Sequence, residues 1–265
     1  MSVSCVRKHN AVRSDGSQAR RFLMNFYDRV QGIYYTEVLR RLNDVLSPTN
    51  YVEIGSRTGG SLEIFGCNSV AIDPTFSIST NVIGKKPTCH FFQMTSDKFF
   101  EKYSLNALLG GPVDFAFLDG MHLAEFLLRD FMNIERQAKA NSIIAIHDCL
   151  PGEYNISARQ EGSESQRSAT HPEWWTGDVW KIIPILQKYR PDLHIIPVDA
   201  APTGLILITN LNPENTTLKT HYSEITRNIV SKYKEEEFIE FWRSISVVSA
   251  NKLVSMEDIY EYFWL

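Results

Sequence analysis

Short runs of β-branched and aromatic residues recur along the middle of the chain and predict buried β-strands. They alternate with longer stretches in which apolar residues recur every three or four positions, the spacing of amphipathic helices. Strand, helix and strand repeated in this way predict a parallel sheet with right-handed crossovers. The predicted strands are residues 51–54, 70–72, 89–94, 113–118, 142–146, 194–198 and 204–209.

The last two predicted strands are too close in sequence to pair in parallel. Only residues 199–203 separate them, and a parallel crossover needs about a dozen residues or more. The two strands are therefore predicted to form an antiparallel hairpin. The fold class is α/β: a doubly wound, mostly parallel seven-stranded sheet that ends in an antiparallel hairpin, with helical extensions at both ends of the chain.

Helical spacing also marks the two ends of the chain. Residues 1–46 are predicted to form an N-terminal helical arm, and residues 213–265 a C-terminal helical extension. Residues 47–212 between them form the α/β domain. The aromatic residues at the end of the chain are predicted to cover the core, with a homodimer partner as the alternative: Tyr260, Phe263 and Trp264.

A long polar segment, residues 149–175, follows the fifth predicted strand. A segment of this length in a compact domain is usually functional or unstructured, and its position predicts a lid over a ligand site. An unstructured insertion is the alternative for residues 161–168. Four side chains of the segment are candidates for contact with a polar, ring-bearing substrate: Arg159, His171, Trp174 and Trp175.

The segment after the first predicted strand has the pattern of a ligand-binding turn. Gly55 allows a sharp backbone turn, and Gly59 and Gly60 leave room for a ligand beside the first turn of a predicted helix. Asp73 ends the next predicted strand, at the edge where open α/β sheets bind ligands. A carboxylate there can accept hydrogen bonds from both hydroxyls of a ribose.

The spacing of this turn disfavours a dinucleotide ligand. A G-x-G-x-x-G fingerprint would bring backbone N–H groups onto a pyrophosphate, but residues 56–58 separate Gly55 from the next glycine. Glu53, just before the turn, would also repel phosphate. The turn suits a ligand that carries an amino group, and an ordinary glycine turn in another doubly wound protein is the alternative.

Three side chains that can bind metals or transfer protons follow predicted strand ends. Asp119 and His122 follow the fourth strand, and Asp148 follows the fifth. Because parallel strands deliver their carboxyl ends to one edge, we expect these residues to converge with Gly55 and Asp73. Capping of a neighbouring helix or loop is the alternative role for the two aspartates, and a backbone hydrogen bond is the alternative for His122.

Four motifs in this order, YVEIGSRTGGSL, FLDGMHLAEFLLRDF, IAIHDCLPGE and WTGDVWKIIPIL, resemble class I methyltransferase family 24, a group of bacterial small-molecule methyltransferases. The resemblance covers residues 34–212 and implies a Rossmann-like methyltransferase fold with S-adenosyl-L-methionine as cofactor. It implies that Glu53 and the glycine turn face the methionine end, that Asp73 binds the ribose, and that residues 94–96 border the adenine. The implied cofactor-binding residues are Glu53, Gly55, Ser56, Arg57, Gly59, Gly60, Asp73, Met94, Thr95, Ser96 and Asp119.

Within the wider group, metal-dependent sugar O-methyltransferases carry an Asp-x-x-His and a later aspartate, which this sequence matches at Asp119, His122 and Asp148. The resemblance implies that Asp119 and Asp148 bind Mg²⁺, a hard ion that prefers carboxylate oxygen, and that His122 is the general base for an acceptor hydroxyl. The sequence departs from the pattern at His147, where a second aspartate is common. Metal-free transfer, with His122 or His147 as the base, is the alternative.

Composition narrows the set of partners. The formal net charge of −4 argues against a nucleic-acid partner, which needs a basic surface, and favours a small-molecule acceptor. The four cysteines lack the paired spacing of a metal or redox motif, so we expect reduced thiols. Since no stretch of about 18 apolar residues occurs, we expect no membrane association and a cytoplasmic protein.

The sequence thus favours O-methylation of a hydroxyl on a small molecule such as a sugar, glycoside or natural product. Two other classes remain open. An NAD-dependent oxidoreductase would use the pocket differently, although the glycine spacing disfavours it. A non-catalytic binding protein would keep the fold and the cofactor without the reaction.

Overall fold

The computed structural model describes residues 25–162, 167–168, 170–231 and 233–263. A seven-stranded sheet forms its centre, in the order β3-β2-β1-β4-β5-β7-β6. All seven predicted strands are present. Their bounds are β1 Asn50–Ile54, β2 Asn68–Ile72, β3 Cys89–Phe92, β4 Val113–Leu118, β5 Ala138–His147, β6 His194–Val198 and β7 Leu205–Thr209.

The pairing of the strands confirms the predicted fold class. β1 pairs in parallel with β2 and β4, β2 with β3, and β4 with β5. β7 pairs antiparallel with both β5 and β6, so the predicted terminal hairpin is confirmed. The result is the doubly wound, mostly parallel, Rossmann-like sheet of the methyltransferase fold. Its parallel strands end at one edge, and β7 begins at that same edge.

Helices cover both faces of the sheet and complete two apolar cores. Val52 faces one core and Tyr51 faces the other, because side chains alternate along a strand. Every residue of β1 is buried, as expected for a parallel strand covered on both faces. The described α-helices are α1 Tyr35–Leu46, α2 Ser96–Lys102, α3 Leu105–Leu109, α4 Ala124–Glu135, α5 Ile182–Tyr189, α6 Thr217–Thr220, α7 Tyr222–Ile229, α8 Glu235–Ser244 and α9 Met256–Tyr262. None of these described helices is long and apolar enough to cross a membrane.

The connection between β1 and β2 differs from the prediction. A 3₁₀ turn, Leu62–Ile64, stands where the sequence predicts the start of a helix. Residues 55–67 form the whole connection, and the glycine turn occupies its first half. The remaining stretch is too short for a stable α-helix, so a single 3₁₀ turn carries the chain across the sheet. The prediction that a helix begins beside Gly60 is therefore wrong.

The N-terminal arm packs on the C-terminal extension. Residues 1–24 of the predicted arm lie outside the described residues. The described part of the arm begins with a 3₁₀ turn, Tyr27–Arg29, and continues into α1. Phe26 stacks on Trp242 of α8, with 5.1 Å between the ring centroids. The two extensions thus hold each other against the domain.

The aromatic end of the chain divides between core and surface. Phe263 is buried in the core that α1 covers, as predicted, whereas Tyr260 is 56% exposed. Trp264 lies outside the described residues. The prediction that this end covers the core therefore holds for Phe263 and not for Tyr260.

Glu53 is a carboxyl group buried within the sheet. The Tyr51 hydroxyl donates to its Oε2 at 2.5 Å, and the Ser61 hydroxyl donates to its Oε1 at 2.9 Å. Burial raises the pKa of Glu53 to about 7, although these two hydrogen bonds oppose the shift. The protonated carboxyl is therefore favoured by folding.

We expect the Glu53→Gln variant to lose a pH dependence of stability that the wild type has. The pKa of Glu53 is raised to about 7 in the folded protein. Its stabilising contribution is therefore fully present below about pH 4.3 and is lost as the pH rises through the folded pKa. Between about pH 5 and about pH 8, the free energy of unfolding of the wild type should fall by roughly 1 to 3 kcal/mol more than that of the variant.

Urea unfolding of both proteins at the two pH values measures this difference. Glu63→Gln is the matched control, because Glu63 is exposed in the same connection. Parallel pH dependences of wild type and Glu53→Gln would contradict the expectation.

Candidate functional site

The carboxyl ends of four strands meet at the edge of the sheet that carries the predicted site. Gly55 follows β1, Asp73 follows β2, Asp119 follows β4, and Asp148 follows β5. Parallel pairing of β1 with β2 and β4, and of β4 with β5, brings these ends level. The fold therefore delivers the predicted residues to one place.

The glycines of the turn make close contacts within the protein. Gly55 has φ +93°, and a Cβ there would lie 2.1 Å from the carbonyl oxygen of Asp119, so only glycine fits. Gly59 has φ +86°, and a Cβ there would lie 2.3 Å from Cγ1 of Val82. The space predicted for a ligand beside Gly59 is thus filled by Val82. Gly60 has open space on its Cβ side, with nothing within 4 Å.

Glu53 lies beneath the turn. It is fully buried and both its oxygens accept hydroxyl hydrogen bonds, from Tyr51 and Ser61. Glu53 therefore holds Ser61 under the turn. The family resemblance implies instead that Glu53 faces the methionine end of the ligand. Ser56, in the turn itself, is also buried, and its hydroxyl has no hydrogen-bond partner among the described residues.

Asp73 is fixed by backbone groups of its own neighbourhood. Its Oδ2 accepts from the Arg57 N–H at 2.8 Å, and its Oδ1 accepts from the Thr75 N–H at 2.6 Å. Arg57 itself has an exposed side chain. Because a carboxylate has about four acceptor positions, Asp73 keeps capacity for ribose hydroxyls while its orientation is set by the chain.

Residues 94–96, predicted to border an adenine, lie where β3 leads into α2. The Thr95 hydroxyl accepts from the Lys98 N–H at 3.4 Å and so caps α2, as the sequence predicts. Met94 is partly buried against the core, and Ser96 is the first residue of the helix. Capping accounts for Thr95, and the contacts with an adenine stay a prediction.

Four charged or ionisable side chains form what we call the edge cluster: Asp119, His122, His147 and Asp148. Nε2 of His122 lies 3.1 Å from Oδ2 of Asp148 and 3.5 Å from Oδ1 of Asp119. Nδ1 of His147 lies 3.4 Å from Oδ1 of Asp148 and 3.5 Å from Oδ1 of Asp119. The structure thus brings together the three predicted catalytic residues and the histidine where the sequence departs from its relatives.

Electrostatics in the edge cluster favour carboxylates and protonated imidazoles. Burial would lower the pKa of His122, but the nearby carboxylates of Asp119 and Asp148 favour its cationic form, outweigh burial and raise the pKa to about 9. Burial would raise the pKa of Asp119, but His147 and His122 hold it well below its ordinary value. Without a further charge at the site, the cluster therefore favours the cationic form of His122, protonated on both ring nitrogens, at neutral pH.

Sequence reasoning missed three groups that fix the cluster. The Thr203 hydroxyl, from the β6–β7 connection, donates to Oδ1 of Asp148 at 2.5 Å. The Tyr35 ring lies on His147, with 4.1 Å between centroids. The carbonyl oxygen of Trp175 accepts from Nδ1 of His122 at 2.9 Å. All three come from segments remote in sequence, so no local motif indicates them.

Asp130 is a fourth missed residue, and here the sequence did contain a signal. It stands on the face of α4 that buries Leu127 and Phe131. Burial raises the pKa of Asp130 to about 7, and its Oδ1 has no partner among the described residues. A water-sized cavity of about 10 Å³ joins Asp130 to the edge cluster. An acid on the apolar face of a predicted helix could have been noticed from the periodicity.

The edge cluster fits a divalent cation. Ligand atoms of Asp119, His122 and Asp148 all lie within 4.8 Å of one another. Oδ1 of Asp119 is buried and has no hydrogen-bond partner among the described residues, as expected of a ligand atom. Two carboxylates are the donors that a hard ion such as Mg²⁺ prefers. The two predicted ligands, Asp119 and Asp148, thus lie together, and His122, the predicted base, lies beside them.

Several side chains of segment 149–175, the predicted lid, contact other parts of the protein. Arg159 is bound to two carboxylates, of Glu125 and Asp178, at 2.7 to 2.9 Å. His171 and Trp174 stack on each other with 3.9 Å between centroids. Of the four predicted substrate contacts, Trp175 alone borders the edge cluster, with its ring 5.5 Å from His122.

Comparison with known proteins gives a domain match and several similar folds. Residues 52–149 match the family model described as "Methyltransferase domain". No curated protein is significantly similar in sequence. Among solved structures, cofactor-bound Rv0187 from MTB has 16% identity and a TM-score of 0.48, over 68% of this chain and 80% of that one. The O-methyltransferase TomG from Streptomyces achromogenes, in complex with SAM, has 13% identity and a TM-score of 0.47, over 67% and 80%.

MycE, from the mycinamycin biosynthetic pathway and in complex with Mg and SAH, has 14% identity and a TM-score of 0.43, over 68% of this chain and 49% of that one. The identities and TM-scores are low, so the ligands of these proteins are not evidence for the ligands of this one.

The domain match coincides with the site. It begins in β1 and ends directly after Asp148, so it contains the glycine turn, Asp73 and the whole edge cluster. The sheet order agrees with it independently, including the terminal antiparallel pair. Residues 52–149 therefore match a methyltransferase domain, and the order and pairing of the strands are those predicted for the class I methyltransferase fold.

Proposed function

We propose that the enzyme transfers the methyl group of S-adenosylmethionine to a hydroxyl of a small-molecule acceptor at the edge cluster. The observation that carries the proposal is the meeting of Asp119, His122 and Asp148 at the strand ends that also hold Gly55 and Asp73. A hydroxyl is a weak nucleophile at neutral pH. His122 would accept its proton, and a cation held by the two carboxylates would lower its pKa. Their place beside the turn suits in-line attack on a sulfonium methyl.

On the cofactor side, Asp73 would accept hydrogen bonds from the ribose, as the resemblance implies. The open side of Gly60 and the unpartnered hydroxyl of Ser56 support binding at the turn. Glu53 would act indirectly, because its carboxyl is fully buried under Ser61. The turn would thus bind chiefly through backbone groups and Ser56.

On the acceptor side, Asp119 and Asp148 would hold a divalent cation. When bound, such an ion would supply positive charge that lowers the pKa of the acceptor hydroxyl and offsets the two carboxylates. His122, whose raised pKa depends on the two carboxylates, would then be able to accept the hydroxyl proton. Since Nδ1 donates to Trp175, Nε2 is the atom that would accept it.

The surroundings of the cluster favour a neutral, ring-bearing acceptor such as a sugar or glycoside. The Tyr35 ring lies against His147 at an interplanar angle of 38°, and Trp175 lies beside His122, so each imidazole has an aromatic neighbour. Carboxylates accept hydrogen bonds from hydroxyls, and aromatic faces pack against rings. In the described part of the chain, no lysine or arginine forms an ion pair with Asp119 or Asp148, so neither residue type is in place at these carboxylates to bind an anionic acceptor.

The Asp73→Asn variant should bind S-adenosylhomocysteine more weakly than the wild type, by about 1 to 3 kcal/mol, because it loses a charged acceptor for the ribose. Asparagine keeps an oxygen for one of the two N–H groups that orient this side chain and loses the acceptor of the other. Isothermal titration calorimetry measures the change, with the exposed Asp44→Asn as control. Unchanged affinity, or equally tight binding of NAD to the wild type, would count against this cofactor assignment.

The Asp148→Asn variant should lose methyl transfer and keep its affinity for S-adenosylhomocysteine. Asp148 has φ +61°, a left-handed conformation that asparagine tolerates and alanine does not, so the variant should fold. Turnover with EDTA should match that of the variant if a cation is needed. Full turnover with EDTA would remove the cation from the mechanism, and full turnover of Asp148→Asn would remove Asp148.

The His122→Gln variant should lower kcat by roughly 10²- to 10⁴-fold, the usual effect of a general base, without changing cofactor affinity. Steady-state kinetics with the acceptor give kcat. The exposed His221→Gln is the control, because His221 lies far from the cluster, beside α7. A wild-type kcat in His122→Gln would leave His147 as the remaining candidate base.

A further inference from the structure

Residues 175–178, which we call the strap, lie directly against His122. Besides the hydrogen bond from Nδ1 of His122 to the carbonyl of Trp175 at 2.9 Å, the Asp178 N–H donates to the carbonyl of His122 at 3.3 Å. Gly177 adopts φ +61°, and a Cβ there would lie 1.7 Å from that carbonyl oxygen. The strap therefore sets both the backbone position and the ring orientation of His122.

The strap is itself tied to the segment that begins the predicted lid. The Thr176 N–H donates to the carbonyl of Ile156 at 2.9 Å, and Nε1 of Trp175 donates to the carbonyl of Ala158 at 2.7 Å. Residues 156–158 lead straight into Arg159. Its side chain provides the next link.

Arg159 joins the strap to the helix that follows His122. Nη2 and Nη1 of Arg159 donate to the two carboxylate oxygens of Glu125, at 2.7 and 2.9 Å, and Nη1 also donates to Oδ2 of Asp178 at 2.9 Å. Glu125 lies in the first turn of α4. One guanidinium thus holds the strap and the start of α4 together, with His122 between them.

Asp178 completes this connection. Its side chain is fully buried, and its Oδ1 accepts from the Ala124 N–H at 2.9 Å, so it caps α4. The sequence predicts that Asp178 caps the helix after it, but no such side-chain bond forms. Lys181 supplies the second positive charge, with Nζ 3.1 Å from Oδ2 of Asp178. Removing Arg159 would leave this buried group of charges unbalanced.

We propose that Arg159 is a positioning residue for His122: its bridge between Glu125 and Asp178 holds the strap so that the Trp175 carbonyl fixes the imidazole. This inference rests on the proposed role of His122. It also replaces the expected contact of Arg159 with substrate, because both terminal nitrogens of the guanidinium are engaged by protein carboxylates.

The geometry requires arginine at this position. The planar guanidinium binds both oxygens of Glu125 in parallel and reaches Asp178 from the same nitrogen. A lysine would keep the charge but present a single point of attachment. Arg159→Lys should therefore behave more like Arg159→Gln than like the wild type.

The test observes the Nδ1 proton of His122 by NMR in protein labelled with ¹⁵N at its seven histidines, at one fixed pH. The His122→Gln variant assigns the signal. In the wild type this proton is bonded to Trp175 and should exchange slowly with water. In Arg159→Gln and Arg159→Lys we expect exchange at least about tenfold faster, or loss of the signal, because the strap opens locally.

Arg129→Gln is the matched control. Arg129 also binds a carboxylate with two nitrogens, to Asp97 at 2.7 Å each, and lies on α4, but it has no hydrogen bond to the strap. Its loss should leave the His122 signal unchanged. If Arg129→Gln causes the same change as Arg159→Gln, the effect comes from α4 as a whole and the proposal is wrong.

Two further readings make the test decisive. Arg159→Gln should lower kcat and leave the affinity for S-adenosylhomocysteine unchanged. A wild-type NMR signal and exchange rate of the His122 proton in Arg159→Gln would overturn the proposal. If Arg159→Gln does not fold, Glu125→Gln decides by the same readout, since it weakens the bridge from the partly exposed side. Absence of methyl transfer in the wild type would refute the proposed function and leave the NMR result to stand alone.

Discussion

The close approach of the glycine turn to the end of β4 is the constraint on which the site depends. The Gly55 N–H donates to the carbonyl of Ile72, and the Asp119 N–H donates to the carbonyl of Ile54, both at 2.9 Å. Strand pairing therefore continues past the strand ends to the residues of the site. A side chain at Gly55 would overlap the Asp119 carbonyl, so the position of Asp119, and with it the whole edge cluster, requires glycine there.

Charge balance is the second organising feature of this edge. Two carboxylates and two imidazoles share the edge cluster, and beside it two carboxylates and two cationic side chains share the group around Asp178. The two groups differ in their freedom to change. The guanidinium of Arg159 keeps its proton, because its hydrogen bonds to Glu125 and Asp178 raise its pKa above the ordinary value, so it is a fixed support. The imidazoles can release their protons, so the charge of the edge cluster can change.

The sequence predicted the sheet well because burial on both faces leaves a strong local signal in each strand. The hairpin followed from the length of residues 199–203 alone. By contrast, the helix after the glycine turn was wrong, because the spacing of glycines says nothing about how few residues remain before β2. The capping role of Asp178 was assigned to the wrong helix, since a local cap pattern cannot distinguish its own helix from one about 50 residues earlier that packs beside it.

The candidate site was likewise predictable only in part. Asp119, His122 and Asp148 could be placed together because strand order alone brings strand ends to one edge. Tertiary packing between remote segments brings three further groups to the cluster: Thr203, Tyr35 and the Trp175 carbonyl. Arg159 was predicted to contact substrate because nothing in the sequence indicates that it pairs with Glu125 and Asp178. Polar composition likewise cannot show which polar groups bond to each other, and the lid role of residues 149–175 stays a prediction.

A crystal structure with S-adenosylhomocysteine tests the central claim most directly. We expect the ribose hydroxyls within about 2.5 to 3.2 Å of the Asp73 carboxylate, the ligand against the open side of Gly60, and the sulfur facing the edge cluster. A ligand bound elsewhere, or one whose sulfur points away from Asp119, His122 and Asp148, would contradict the assignment of this edge as the place of methyl transfer.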